Sequence, residues 1–220
     1  MRLAARRPPE ARGLGRDGVR LLAATPDGMV HARFGDLPRF LSAGDLLVVN
    51  TSATIAAAVD GRRGDGRPVL VHFSSPLDEG TPWAGTSDGR PAGERARGEG
   101  TPGGTAGEGA PGGTEWLVEL RENAAATGPV TDAAPGETVT LPAGGSLTLL
   151  RRYPGPAAIR LWAASVAVGG APGAFLARHG RPIRYSYVPD PWPLSAYQTV
   201  FARTPGSAEM PSAEIGRAHV

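Results

Sequence analysis

The residues best placed for chemistry are three small polar side chains, Asn50, Thr51 and Ser52, which follow directly on the apolar run Leu46 to Val49. A continuous apolar run entered from an Ala43-Gly44-Asp45 turn suits a short strand buried on both faces, although the pattern also admits a buried helical turn. At the carboxyl end of such a strand in an open α/β sheet, backbone N–H groups and short side chains converge, and ligands sit there. The same residues also fit a turn, or a cap on a helix over Ile55 to Val59. Spacing alone does not select the pocket.

Near the other end, Tyr197 and Gln198 offer an aromatic face for stacking and an amide for base-edge hydrogen bonds. Their plainer use is a helix whose Tyr packs on the core. Glu209 is the carboxylate singled out as a candidate catalytic group, because a Gly- and Pro-bounded turn (Gly206 to Ala213) can hold it near a ligand; a solvated loop glutamate is the alternative. The four histidines, at 31, 72, 179 and 219, lack the local spacing of a metal signature, and no metal is expected.

Composition removes several chemistries. The chain has no Cys, which excludes thiolate nucleophiles and Cys-based zinc sites and fits a reducing compartment. All 23 positive side chains are Arg, so neither a P-loop nor a Schiff-base lysine exists in it. A net charge of +2 permits an RNA partner without suggesting one. No apolar run reaches the roughly 18 to 20 residues of a membrane span, and Met1 to Gly18 lacks the apolar segment of a secretory signal. The expectation is a cytoplasmic protein with a frayed, disordered N-terminus over 1–18.

The elements that must position these residues can be read in order. Val19 to Phe34 predicts a hairpin around Thr25-Pro26-Asp27-Gly28. Ala53 to Val59 is compatible with helix or strand. Pro68 to Phe73 predicts a strand, pairing with Trp116 to Leu120 across residues 76–115. That intervening segment has 12 Gly and 5 Pro in 40 residues and predicts a disordered loop, because so little apolar surface cannot offset about 1–2 kcal/mol of ordering entropy per residue. Gly136 to Leu141, Gly145 to Leu150 and Ala158 to Trp162 read as three more strands, giving a five-stranded small β-barrel. Gly173 to Gly180 reads as a short helix closed by glycine, Arg181 to Pro189 as extended, and Leu194 to Ala202 as helical.

With these pieces in order, Arg20-Leu21-Leu22, Phe34-x-Asp36-Leu37, Ala43 to Asn50, Tyr197-Gln198-Thr199-Val200-Phe201-Ala202 and the Gly206 to Ala213 turn, the chain resembles the S-adenosylmethionine:tRNA ribosyltransferase-isomerases. The resemblance implies ribosyl transfer from S-adenosylmethionine, the co-substrate, to the aminomethyl group of a 7-deazaguanine in tRNA, with no metal. It implies tRNA as partner and a substrate site at Asn50, Thr51, Ser52, Tyr197, Gln198 and Thr199; a monomer is expected. Where the family pattern continues Thr-Arg-Val-Ile-Pro-Ala-Arg, this chain has Ser52-Ala53-Thr54-Ile55-Ala56-Ala57-Ala58, so two Arg and a Pro are replaced.

The implied architecture is an α/β fold: a mixed α/β domain over 19–59 and 154–213, incomplete at its C-terminal side, interrupted by an inserted β-barrel at 60–153. The tail 214–220 reads as non-native, and the chain as written is expected to be inactive. Two other functions stay open: a non-catalytic nucleotide- or RNA-binding homologue, and an S-adenosylmethionine-dependent transferase acting on a small molecule.

Overall fold

In the computed structural model of the chain, the described residues are 7–77, 113–122, 128–184, 188 and 190–208. Strands β1 (Arg20–Thr25) and β2 (Gly28–Arg33) form the expected hairpin, with Thr25 opposite Gly28 across Pro26-Asp27. Pro26 presets its own φ, and Gly28 takes a φ of 126°, a region that L side chains resist. A 3-10 segment, Phe34–Phe40, follows, its start fixed by the Arg33 N–H donating to the Asp36 carboxylate at 2.9 Å.

Strands β4 (Ala58–Arg63), β5 (Pro68–Pro76), β6 (Thr114–Glu122), β7 (Thr138–Thr140), β8 (Ser146–Tyr153) and β9 (Leu161–Ala167) close a barrel in the order β4-β5-β6-β9-β8-β7. The barrel is therefore six-stranded and spans 58–167, wider than the expected 60–153. The extra strand is β4, from the Ala-rich stretch that suited helix or strand. Pairing on both sides, with β5 and with β7, decides it. Period-two alternation sends Val69, Val71 and Phe73 of β5 and Trp116, Val118 and Leu120 of β6 into the core, where Phe73 meets Trp116 edge-on at 5.7 Å. Arg63 is buried at the rim and satisfied by Glu137 (2.9 Å) and Asp132 (2.6 Å). The Arg152 guanidinium lies 3.8 Å over the Trp162 ring. The ends of the predicted 76–115 loop belong to β5 and β6; its interior lies outside the described residues.

Helix α1 (Pro172–His179) starts on Pro172 and buries Phe175 and Leu176. Gly180 then lets the chain pass so close to the Ala56 carbonyl that a Cβ would overlap it. That approach lets Arg181 and Ala58 exchange two backbone hydrogen bonds of 2.9 Å. Strand β3 (Ser52–Thr54) and β10 (Thr204–Ser207) form a parallel pair, Ser52 opposite Thr204, and the barrel lies between them in sequence. The fold is mixed and strand-rich.

Three expectations change. Leu46 to Val49 is neither strand nor buried: Leu46 is 87% and Val48 82% exposed, because no strand among the described residues pairs with this run. The helix over Leu194 to Ala202 shortens to one 3-10 turn, Leu194–Tyr197, because Gln198 is drawn into bonds with Thr54. Within the 1–18 stretch read as disordered, Glu10–Arg12 and Arg16–Gly18 form 3-10 turns, and Arg16 donates to main-chain carbonyls some 180 residues away. Residues 1–6, 185–187, 189 and 209–220 lie outside the described residues.

Candidate functional site

The structure links the segments that carry the two polar runs, through Thr54 and through the β3–β10 pair. Gln198 and Thr54 form the junction: the Gln198 side-chain oxygen accepts from the Thr54 N–H at 2.9 Å, and its amide nitrogen donates to the Thr54 carbonyl at 2.7 Å. The buried Thr54 hydroxyl donates to the Tyr197 carbonyl at 3.0 Å. The side chain of Gln198 thus takes the place of a neighbouring strand, satisfying backbone groups that burial would otherwise leave costly.

Asn50, Thr51 and Ser52 are exposed at the entry to β3. The Asn50 side-chain oxygen accepts from the Ser52 N–H at 2.9 Å, a tight local turn, and the Thr51 carbonyl accepts from the N–H groups of Arg203 (2.8 Å) and Thr204 (3.1 Å). Thr199 turns the chain in the same manner, its hydroxyl accepting from the Phe201 N–H at 3.2 Å. Tyr197 is 2% exposed and packs with Val188, Trp192 and Ala196. Burial pushes its phenol up, against the opposing effects of a hydrogen bond with the Trp192 main chain and of Arg184. Tyr197 and Gln198 therefore build this junction from behind, while Asn50, Thr51 and Ser52 face solvent.

Glu209 lies outside the described residues. The last described residue, Ala208, is buried, and the Ser207 carbonyl accepts from the Ile55 N–H at 2.9 Å, fixing the chain beside β3 up to that point.

Three participants escaped sequence reasoning. Thr54 is a single polar residue in an Ala-rich stretch, and that isolation was its signal. Arg16 clamps the Leu194–Tyr197 turn through the carbonyls of Ser195 (3.0 Å), Ala196 (3.4 Å) and Gln198 (2.9 Å) and pairs with Glu10 at 2.7 Å, with no local pattern to announce it. Arg203 joins the Thr51 carbonyl through its backbone.

Two other polar features lie elsewhere. On the outer face of the barrel, His72 sits opposite Glu119, which accepts from Arg160 (2.9 and 3.2 Å) and Arg121 (3.0 Å). A groove of about 420 Å³ at the β4–β7 seam, lined by Asp60, Arg62, Val69, Thr140 and Leu141 among others, touches none of the predicted site residues. Among the described residues no group of three or more His, Asp or Glu side chains could hold a metal ion, and no helix is long and apolar enough to cross a membrane.

A family model described as queuosine biosynthesis protein matches residues 1–216. An S-adenosylmethionine:tRNA ribosyltransferase-isomerase of Sorangium cellulosum is 31% identical over 97% of this chain and 52% of its own length. Its counterpart in Rubrobacter xylanophilus is 31% identical over 96% of the chain and 48% of its own. That of Acidiphilium cryptum is 44% identical over 66 residues, 30% of the chain and 19% of its own. The chain thus spans about half the length, or less, of these relatives. A crystal structure of S-adenosylmethionine tRNA ribosyltransferase from Thermotoga maritima aligns with 74% of this chain and 41% of its own, at 20% identity and a TM-score of 0.27. By the match over residues 1–216, the chain belongs to the queuosine biosynthesis protein family.

Proposed function

We propose that the chain forms one wall of the substrate site of an S-adenosylmethionine:tRNA ribosyltransferase-isomerase, acting on a 7-deazaguanine in tRNA. The observation that supports this reading is the Thr54–Gln198 junction, which joins residues 144 apart in sequence, one of them two residues beyond Ser52 and the other within Tyr197-Gln198-Thr199. The relatives' names support the activity.

The reaction transfers the ribosyl group of S-adenosylmethionine to the aminomethyl nitrogen of the deazaguanine and rearranges it to an epoxycyclopentanediol, releasing adenine and methionine. It requires a base to take a proton beside the sulfonium, a nucleobase pocket and an oriented amine. Asn50, Thr51 and Ser52 supply hydroxyl and amide groups to bind substrate. Thr199, one residue beyond Gln198, shapes the same turn, and Glu209, following the buried Ala208, is the proposed base. Neither tRNA binding nor this chemistry calls for a metal, and the working form is a cytoplasmic monomer.

The wall faces solvent at Asn50 to Ser52 and along Leu46 to Val49. A site open to water cannot shield a carbanion formed next to a sulfonium. The 220-residue chain therefore binds substrate without turning it over. A binding role without chemistry is the second reading, favoured by Gln198, whose amide is tied to Thr54 and does not read a base. Chromatographic measurement of adenine, after incubation with S-adenosylmethionine and deazaguanine-containing tRNA, tests this. Background adenine is expected; sustained release would overturn the account of an open wall.

A further inference from the structure

We infer that Arg203 holds an oxyanion of the bound substrate, a carboxylate or a phosphate, against the Asn50-Thr51-Ser52 cluster. This rests on the reading of that cluster as a binding wall. Residues 50–58 contain no cation, so an anion arriving there must find its positive charge on a neighbouring segment. Arg16 and Arg203 both bond to these segments. The guanidinium of Arg16 is committed to the carbonyls of Ser195, Ala196 and Gln198 and to Glu10, and so serves the architecture of the turn.

Arg203 differs in each respect. Its backbone N–H donates to the Thr51 carbonyl at 2.8 Å, and the next residue, Thr204, pairs with Ser52 in the parallel register. Residues in register on neighbouring parallel strands share a face, so continuing that register by one residue puts Arg203 and Thr51 on the same side. Arg203 is exposed, and its guanidinium has no hydrogen bond or ion pair among the described residues. Elsewhere the arginines near structural carboxylates are engaged, as Arg63 is with Glu137, Arg151 with Glu115 and Arg181 with Asp60.

A planar fork anchored by its own main chain, on the face that carries the Thr51 hydroxyl, matches a bidentate oxyanion. The Asn50 side-chain oxygen already accepts from the Ser52 N–H, which leaves its nitrogen as the outward donor. Two parts of the proposed substrates carry such a group: the amino-acid carboxylate of S-adenosylmethionine and the phosphates of tRNA.

The test compares the 220-residue chain with Arg203→Gln and Arg203→Lys, all three checked for equal melting temperature, in titrations with S-adenosylmethionine and with an unmodified tRNA transcript. If the anion is the carboxylate, Arg203→Gln weakens S-adenosylmethionine binding by about 10- to 100-fold, with Arg203→Lys in between. Decarboxylated S-adenosylmethionine then binds the parent chain and Arg203→Gln equally. If the anion is a phosphate, Arg203→Gln weakens tRNA binding and reduces the salt slope by about 1. Equal binding of both probes by parent and Arg203→Gln overturns the inference while the binding wall stands. A folded parent chain that binds neither probe overturns both.

Discussion

The side-chain amide of Gln198 closes a two-bond ring with the main chain of Thr54, at 2.9 and 2.7 Å, and this ring holds the two halves of the candidate site together. It acts as one step of a sheet ladder made by a side chain. Arg16 fixes its far side through the Gln198 carbonyl.

Replacing Gln198 tests the ring directly. Gln198→Leu leaves the N–H and carbonyl of the buried Thr54 without these partners, at about 1–3 kcal/mol for each group, so a loss of roughly 2–6 kcal/mol is expected in denaturant unfolding. Gln198→Glu keeps an acceptor for the N–H but cannot donate to the carbonyl, and it should fall between. Equal stability of Gln198→Leu and the parent would show that the ring does not hold the segments.

The barrel carries a pH-sensitive group in His72. Burial pushes its imidazole down from 6.5 to about 4, with Glu119 opposing and Arg121, Arg181 and Arg160 adding to the fall. The folded state thus favours neutral His72, whereas the unfolded chain takes up a proton near pH 6.5. Stability is full above about pH 6.5 and declines as pH falls toward 4, by up to the order of 3 kcal/mol. Burial raises Glu119, but hydrogen bonds from Arg160 and Arg121 outweigh it and leave its pKa below the usual value, so its own loss comes at still lower pH. Unfolding free energy measured from pH 7 to 4 should slope in the parent and flatten over that window in His72→Leu.

The rim ion pair separates a buried charge from an exposed one. Arg63 is 8% exposed and bonded by Glu137. Glu137→Ala removes the partner of two guanidinium nitrogens and leaves the buried charge to the exposed Asp132, at an expected cost of about 3 kcal/mol, whereas Arg63→Met, which removes the charge, should cost less. Asp132→Ala, at a solvent-exposed carboxylate, should be the mildest of the three. Thermal melts of the three variants give the order.

Leu46 and Val48 make a measurable surface. Consecutive exposed apolar residues invite association, so Leu46→Lys with Val48→Glu should lower light scattering and binding of a hydrophobic dye. The melting temperature should stay within the shift of a surface change, about 0.5 kcal/mol. A large loss of stability would mean that the run is packed.

Much of the fold was legible because local chemistry and pairing agree. Pro26-Asp27 set the hairpin, Val69-Val71-Phe73 alternated into the core, and Pro172 and Gly180 bounded α1. Where strand identity depended on a partner, the pattern was insufficient: Ala58–Arg63 became a strand by pairing on both sides, and Leu46 to Val49 did not for want of a neighbour. In the candidate site, the two polar runs were visible in sequence. The division of labour was not, because the contacts of Thr54, Arg16 and Arg203 span about 140 residues or more and leave no local pattern. The reading of Tyr197 as core, set beside its use in stacking, matches its burial.

The most direct test of the binding wall is a titration of the ¹⁵N-labelled 220-residue chain with S-adenosylmethionine, followed by amide chemical shifts. Saturable shifts confined to Asn50 to Thr54 and Tyr197 to Thr204, with the barrel amides of β5 and β6 unmoved, are predicted. Shifts centred on the barrel, or none at millimolar S-adenosylmethionine in the folded protein, would contradict it.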